Sequence, residues 1–200
     1  MTSGLDKTAL RSRLRAVRRR LAAEIPDAGK RAARRLPCRR LPPYRVFSSY
    51  HPLGSEMDPM PLMLQLWGGG DCPTLPVAVD RHSPLVFRLW AKGMRLEPDA
   101  FGIPAPPPIM PALTPDLVIA PVLGFDRAGH RLGQGAGHYD RTIANLRARK
   151  QVVVIGLAFS GQELAEVPAE PHDEPLDAIL TETEFIAVAP SLFGPERPTR

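Results

Sequence analysis

Two short apolar runs, Leu117-Val-Ile-Ala120 and Val152-Val-Val-Ile-Gly-Leu-Ala158, restrict the fold of this chain more than any other feature. Neither alternates between apolar and polar residues. A strand with one face in water alternates, whereas a strand covered on both faces reads as a continuous apolar run. Between the two runs lies a helix-like segment from His138 to about Lys150, with Ile143 and Leu146 spaced to face inward. Buried strand, helix and buried strand in succession form the unit from which parallel sheets are built.

The rest of the chain keeps this alternation. Leu10, Leu14, Val17 and Leu21 mark one stripe of a basic helix over about residues 3–23. A capping-box pattern at Ser3 and Asp6 opens it, and Pro26 closes it. Shorter helices are expected over 27–36 and 59–67, and strands over 44–50, 75–79 and 85–91. Residues 101–108 form a Pro-rich connection without periodicity, expected to be an extended loop. Residues 162–167 read as a short helix, and two last strands are expected near Leu180 and over 185–189. The expectation is one α/β domain over residues 1–190, a mostly parallel sheet flanked by helices on both faces, and a tail over 191–200. Ligands of such folds sit at the carboxyl ends of the strands.

Composition adds bounds. Hydrophobic residues at 44% and charged residues at 24% suit a globular chain with a sizeable core. No apolar run is long enough to span a bilayer, and no signal-peptide core is present. Cys38 and Cys72 form no metal or redox motif and read as reduced thiols, which points to the cytoplasm. The net charge of +5 is unevenly placed: residues 1–40 carry 13 Lys and Arg against 3 Asp and Glu, and the remainder carries 13 against 18. A basic N-terminus suits nucleic acid or a polyanionic small molecule, although a solvated helix face also accounts for most of these arginines.

The chemistry concentrates after the first apolar run, in Arg131-Leu-Gly-Gln-Gly-Ala-Gly-His-Tyr-Asp140. Gly133, Gly135 and Gly137 at alternate positions leave peptide N–H groups uncovered and permit positive φ. Such amides beside a helix N-terminus cradle anionic oxygen. Arg131 adds a planar fork of donors suited to phosphate, and Asp140 adds a hard oxygen ligand of the kind Mg²⁺ prefers. Together they suggest a phosphate site for a nucleotide with magnesium. A dinucleotide fingerprint would need glycine at His138, and a P-loop would need Gly-Lys followed by Ser or Thr, whereas this stretch has no lysine. By spacing alone, a glycine-rich turn between strand and helix fits equally well.

This stretch, preceded by Gly124-Phe-Asp126, resembles the signature of the 5-formyltetrahydrofolate cyclo-ligases, with Ala136 where many members have Gly or Lys and His138 where many have Tyr. A second block, His51-Pro-Leu-Gly-Ser-Glu-Met-Asp58, resembles the family's element at the end of its first strand. The resemblance implies an enzyme that uses ATP and Mg²⁺ to turn 5-formyltetrahydrofolate into 5,10-methenyltetrahydrofolate. It implies an ATP site from Lys7, Arg11, Arg131, Leu132, Gly133, Gln134, Gly135, Ala136, Gly137, His138 and Tyr139. It implies folate contacts from His51, Glu56, Phe101 and His138, and magnesium ligands at Asp140 and Asp177, with Asp173 as a substitute for the latter. A carboxylate such as Glu56 suits the paired N–H donors of a pterin. No membrane partner is expected. A nucleic-acid-binding protein and an ATP-dependent relative with another substrate are the alternatives; missing RNA-recognition aromatics and an acidic remainder weigh against the first, and the Glu56 block against the second.

Overall fold

The computed structural model describes residues 7–68 and 70–195. The expected cap at Ser3 and Asp6 lies outside them. Helix α1 (Lys7–Glu24) and α2 (Ala28–Arg35) lead into strand β1 (Val46–Ser48) and α3 (Met60–Leu66). Strands β2 (Cys72–Val77) and β3 (Val86–Leu89) follow, then the two-residue strands β4 (Glu97–Pro98), β5 (Pro104–Ala105) and β6 (Ala112–Leu113). Strand β7 (Leu117–Pro121) precedes a small hairpin of β8 (Gly124–Phe125) and β9 (Arg131–Leu132). Helix α4 (His138–Arg147), β10 (Val153–Leu157), β11 (Ala178–Leu180) and β12 (Phe185–Ala187) complete the chain.

Eight strands form one sheet in the order β12-β11-β10-β7-β1-β2-β3-β6. The run from β11 to β2 is parallel throughout, with antiparallel strands added at both ends. Both apolar runs are central strands of this parallel part, as their unbroken apolar character requires. One face carries Phe47, Leu117, Ile119, Val153, Ile155 and Leu157, covered by Leu21, Ala32, Leu62, Met63 and Leu66 of α1 to α3. The opposite face carries Val118, Ala120, Val154 and Ile179, covered by Ile143 and Leu146 of α4. A third cluster packs Leu10 and Leu14 of α1 on Leu123 and Leu132 beside the hairpin. No helix among the described residues is long and apolar enough to cross a membrane.

From β1 the chain moves outward to β2, whereas β7 lies on the other side of β1. The strand order therefore reverses between β1 and β7, and the carboxyl ends of strands at such a reversal are the usual ligand position in these sheets.

Several expectations need correction. Residues 162–167 form no helix. A 3-10 turn, Ser160–Gln162, is followed by chain whose amides are spent elsewhere: Leu164 N–H on the Phe125 carbonyl at 2.8 Å and Val167 N–H on Asp126 Oδ2 at 2.9 Å. The strand expected from residue 75 begins at Cys72 and takes in Pro73, whose carbonyl accepts the Trp90 N–H at 2.9 Å. The Pro-rich connection contributes β5, which pairs with β4. The expected tail is anchored at its start: Phe193 is buried against Phe185, and the Gly194 N–H donates to the Arg40 carbonyl at 2.9 Å.

Candidate functional site

The carboxyl end of β1 leads into Tyr50 and His51, and that of β7 into Val122 and Leu123. These residues line a cavity of about 640 Å³ at the point where the strand order reverses. The size falls in the range of small-molecule sites. The glycine segment, residues 133–137, borders the cavity on one side, and Glu56 and His51 border it on another.

Local sequence explains how the glycine segment is presented. The expected strand–loop–helix is interrupted by the β8–β9 hairpin, whose turn closes on Asp126. Its Oδ1 accepts the N–H groups of Ala128 and His130, each at 3.0 Å, and Gly129 supplies the positive φ of +90°. Past the hairpin, Gly135 (φ +105°) and Gly137 (φ +66°) take left-handed conformations, and Gly137 is the N-cap of α4. Gly133 does not. Among the described residues no acceptor engages the amides of residues 133–137. Two of their carbonyls, in contrast, are held by arginines: Arg11 Nε donates to the Gly133 carbonyl at 3.0 Å and Arg141 Nη2 to that of Ala136 at 2.9 Å. Arg15 Nε and Nη2 donate to Gln134 Oε1 at 3.0 and 2.9 Å. Arginines thus engage several acceptors of the loop, while its N–H groups stay open, an arrangement that can receive an anion.

Lys7 and Arg11 lie one turn apart on α1 and both line the cavity. Lys7 Nζ pairs with Glu170 Oε1 at 2.7 Å and lies 3.7 Å from Asp173 Oδ2. Arg131 is buried; Nη2 meets Asp140 Oδ1 at 2.6 Å, and Nη1 donates to the Glu174 carbonyl. Burial lowers the Arg131 pKa, and the Asp140 carboxylate opposes that shift. Burial and the nearby Glu56 carboxylate raise the Tyr139 phenol well above its ordinary value, so it stays a neutral hydrogen-bonding group.

On the other side, Glu56 Oε2 accepts the Leu53 N–H at 3.0 Å and Oε1 meets Arg18 Nη1 at 3.2 Å. The Tyr50 hydroxyl, buried beneath, donates to the Met57 carbonyl at 2.7 Å and fixes the intervening loop. Asp99 Oδ1 accepts the N–H groups of Phe101 and Ile103 at 2.8 and 3.0 Å, which sets Phe101 with its ring centroid 5.3 Å from that of His138. His138 Nε2 lies 3.1 Å from the Asp80 carbonyl oxygen.

Lys7, Arg11, His51, Glu56, Phe101, Arg131 to Tyr139, and Asp140 all line this one cavity. Asp177 does not. It caps the amino end of β10, accepting the Val154 N–H on Oδ2 at 2.8 Å and pairing with Arg147 at 3.0 Å. Asp177 thus lies outside the cavity lining with Oδ2 engaged, whereas Asp173, on the preceding loop, reaches the cavity. Among the described residues no three His, Cys, Asp or Glu side chains form a self-sufficient metal cluster. Magnesium carried on phosphates needs only one or two protein carboxylates. Asp140 fits that need, because Oδ1 alone serves Arg131 and the Glu174 N–H.

Arg18 was missed by reading the basic helix as solvated. Its position was legible: it follows core residue Leu14 by one turn and precedes Leu21, so it falls on the inward stripe. Glu170 and His172, also on the cavity wall, carry no comparable signal, because their loop is placed by tertiary contacts.

The 5-formyltetrahydrofolate cyclo-ligase family model matches residues 4–182. A 5-formyltetrahydrofolate cyclo-ligase of Mycolicibacterium smegmatis is 38% identical over 144 residues, covering 68% of this chain and 73% of that one. The Escherichia coli K12 protein of the same name is 34% identical over 141 residues, covering 68% and 75%. The fold matches the solution structure of Aquifex aeolicus 5,10-methenyltetrahydrofolate synthetase with a TM-score of 0.73 at 23% identity, covering 97% of this chain and 96% of that one. The Mycoplasma pneumoniae 5,10-methenyltetrahydrofolate synthetase gives 0.68 at 22% identity, covering 89% and 99%. With a family model spanning most of its length, the chain belongs to the 5-formyltetrahydrofolate cyclo-ligase family.

Proposed function

We propose that this protein uses ATP and Mg²⁺ to convert 5-formyltetrahydrofolate into 5,10-methenyltetrahydrofolate, with release of ADP and phosphate. The supporting observation is that a single cavity joins an anion cradle, residues 133–137 with Lys7, Arg11 and Arg131, to a fixed carboxylate, Glu56. The formyl oxygen on N5 takes the γ-phosphoryl group. N10 then attacks the activated formyl carbon, the formyl C–O bond breaks so that the oxygen leaves as phosphate, and the N10 proton departs with it. Two reactants must meet in one site, and holding them in line supplies much of the rate. Lys7, Arg11, Arg131 and the loop amides balance charge on the transferring group. Asp140 would hold Mg²⁺, whose charge would offset that of the phosphate oxygens. Glu56, with His51, holds the pterin, and Phe101 and His138 form an aromatic wall. No protein nucleophile is required.

Lys7, Arg11, Arg15 and Arg18, four of the basic residues behind the nucleic-acid alternative, are engaged with the cavity or its glycine loop, which favours the small-molecule reading. The free thiols of Cys38 and Cys72 agree with a cytoplasmic protein. The test mixes purified protein with 5-formyltetrahydrofolate and MgATP and follows the near-ultraviolet band of methenyltetrahydrofolate. ATP-dependent growth of the band is expected. No growth while ATP still binds would transfer the chain to a relative with another substrate, and no growth without ATP binding would remove the nucleotide site.

A further inference from the structure

The side chains of Arg18 and Glu56 are each only 8% exposed. Two charges at that depth are costly unless they satisfy each other. Arg18 Nη1 donates to Glu56 Oε1 and Nε donates to Ser55 Oγ, both at 3.2 Å. Among the described residues, Arg18 is the one cation within ion-pair distance of Glu56. The Leu53 N–H engages the other carboxylate oxygen at 3.0 Å. Each oxygen is therefore held by one donor. A carboxylate offers about four acceptor positions, so two remain for a ligand.

We infer that Arg18 is a positioning residue for the folate, acting through Glu56. The inference rests on the reading of Glu56 as the pterin's partner. A carboxylate that receives two N–H donors side by side needs a fixed plane and a full negative charge. The planar guanidinium of Arg18 supplies both, because its fork binds Glu56 and Ser55 together and its charge compensates that of Glu56 in a site that water does not reach freely. The same helix grips the glycine loop through Arg11 and Arg15. Helix α1 thus holds both halves of the cavity, and Arg18 is its contribution to the folate half.

The test is a double-mutant cycle with Arg18→Gln, Glu56→Gln and the pair, reading KM for 5-formyltetrahydrofolate and for ATP separately. Each single change is expected to raise the folate KM roughly 10- to 100-fold, the worth of a charged hydrogen bond, and to leave the ATP KM within about threefold. The double variant is expected to be no worse than the worse single variant, because Arg18 has nothing left to position once Glu56 is altered. Arg18→Lys, which keeps the charge but not the fork, is expected to fall between wild type and Arg18→Gln. Multiplied losses in the double variant, or an ATP KM raised as much as the folate KM, would overturn the proposal. A folate KM unmoved by Glu56→Gln alone would instead overturn the folate reading of Glu56. Should Arg18→Gln fail to fold, Arg18→Lys carries the test: a rise in folate KM alone supports the proposal, and equal rises for both substrates overturn it.

Discussion

Arg131 Nη2 lies 2.6 Å from Asp140 Oδ1, so the arginine before the glycine loop and the carboxylate after it close the loop at its base. The Glu174 carbonyl takes a second donor of the same guanidinium. Arg131 therefore closes the loop, and the proposed function adds a second duty, charge toward phosphate. Arg131→Ala is expected to lower kcat/KM by about 10²- to 10³-fold, roughly 3–4 kcal/mol of lost transition-state stabilisation. Circular dichroism should show a folded protein with a reduced melting temperature. Wild-type turnover in that variant would remove Arg131 from the site.

The two expected magnesium ligands separate by position. Asp140 lines the cavity, and Asp177 caps β10 beside Arg147. Asp140→Asn is expected to shift the Mg²⁺ concentration for half-maximal activity upward by about tenfold or more. Asp177→Asn is expected to cost about 1–3 kcal/mol of stability, by weakening a charged acceptor for Arg147, while the Mg²⁺ requirement stays put. Titrating activity with Mg²⁺ in both variants, alongside thermal melts, distinguishes them; an Mg²⁺ shift in Asp177→Asn would restore its ligand role.

The glycines of the loop are not equivalent. A Cβ on Gly137 would combine a φ of +66° with an approach of 2.8 Å to Arg141 Nη1, whereas a Cβ on Gly133 would meet nothing within 4 Å. Gly137→Ala is expected to cost about 1–2 kcal/mol through backbone strain and to raise the ATP KM. Gly133→Ala should melt like the wild type. If Gly133→Ala raises the ATP KM without loss of stability, the new methyl obstructs the anion rather than the fold.

Asp126 is expected to make the stability of the hairpin depend on pH. Burial works to raise its pKa, but the Val167 N–H, the His130 ring and the His130 N–H outweigh burial and hold it below the ordinary aspartate value of 3.8. A carboxyl depressed in the folded state stabilises the fold above its unfolded pKa, and that stabilisation is lost as pH falls through the folded pKa. Asp126→Asn is expected to be less stable than wild type by about 1–3 kcal/mol near neutrality. The gap should close in acid below the ordinary aspartate range. Denaturant melts across pH test this, and a gap independent of pH would mean that shape, not charge, makes the contribution.

Much was legible in residue order because the signals were local. The continuous runs at Leu117 and Val152 became the central strands β7 and β10, and the stripe of Leu10, Leu14 and Leu21 became the buried side of α1. The glycine spacing pointed to an exposed loop at a helix start, and Gly137 is the N-cap of α4. Legibility failed where partners are distant in sequence. Gln162 looked helical, yet its side chain bridges the Val122 and Leu123 carbonyls at 2.9 and 2.8 Å. Phe193 looked like tail, yet it packs on Phe185. Asp177 was implied as a ligand by the family resemblance, and its partners in the fold, the Val154 N–H and Arg147, are set by residues far from it in sequence.

Sequence by itself determined the layered α/β class, the exposed glycine loop at a helix start and the family. Each depends on periodicity or on residue types within a few positions of one another. Only the tertiary structure decided that β1 and β7 flank the cavity, that Arg18 is spent on Glu56, and that Asp140 faces the cavity while Asp177 does not. Those outcomes depend on which strands become neighbours and on which donors surround a charge once water is removed. Both arise from contacts between residues far apart in the chain, which local pattern does not encode.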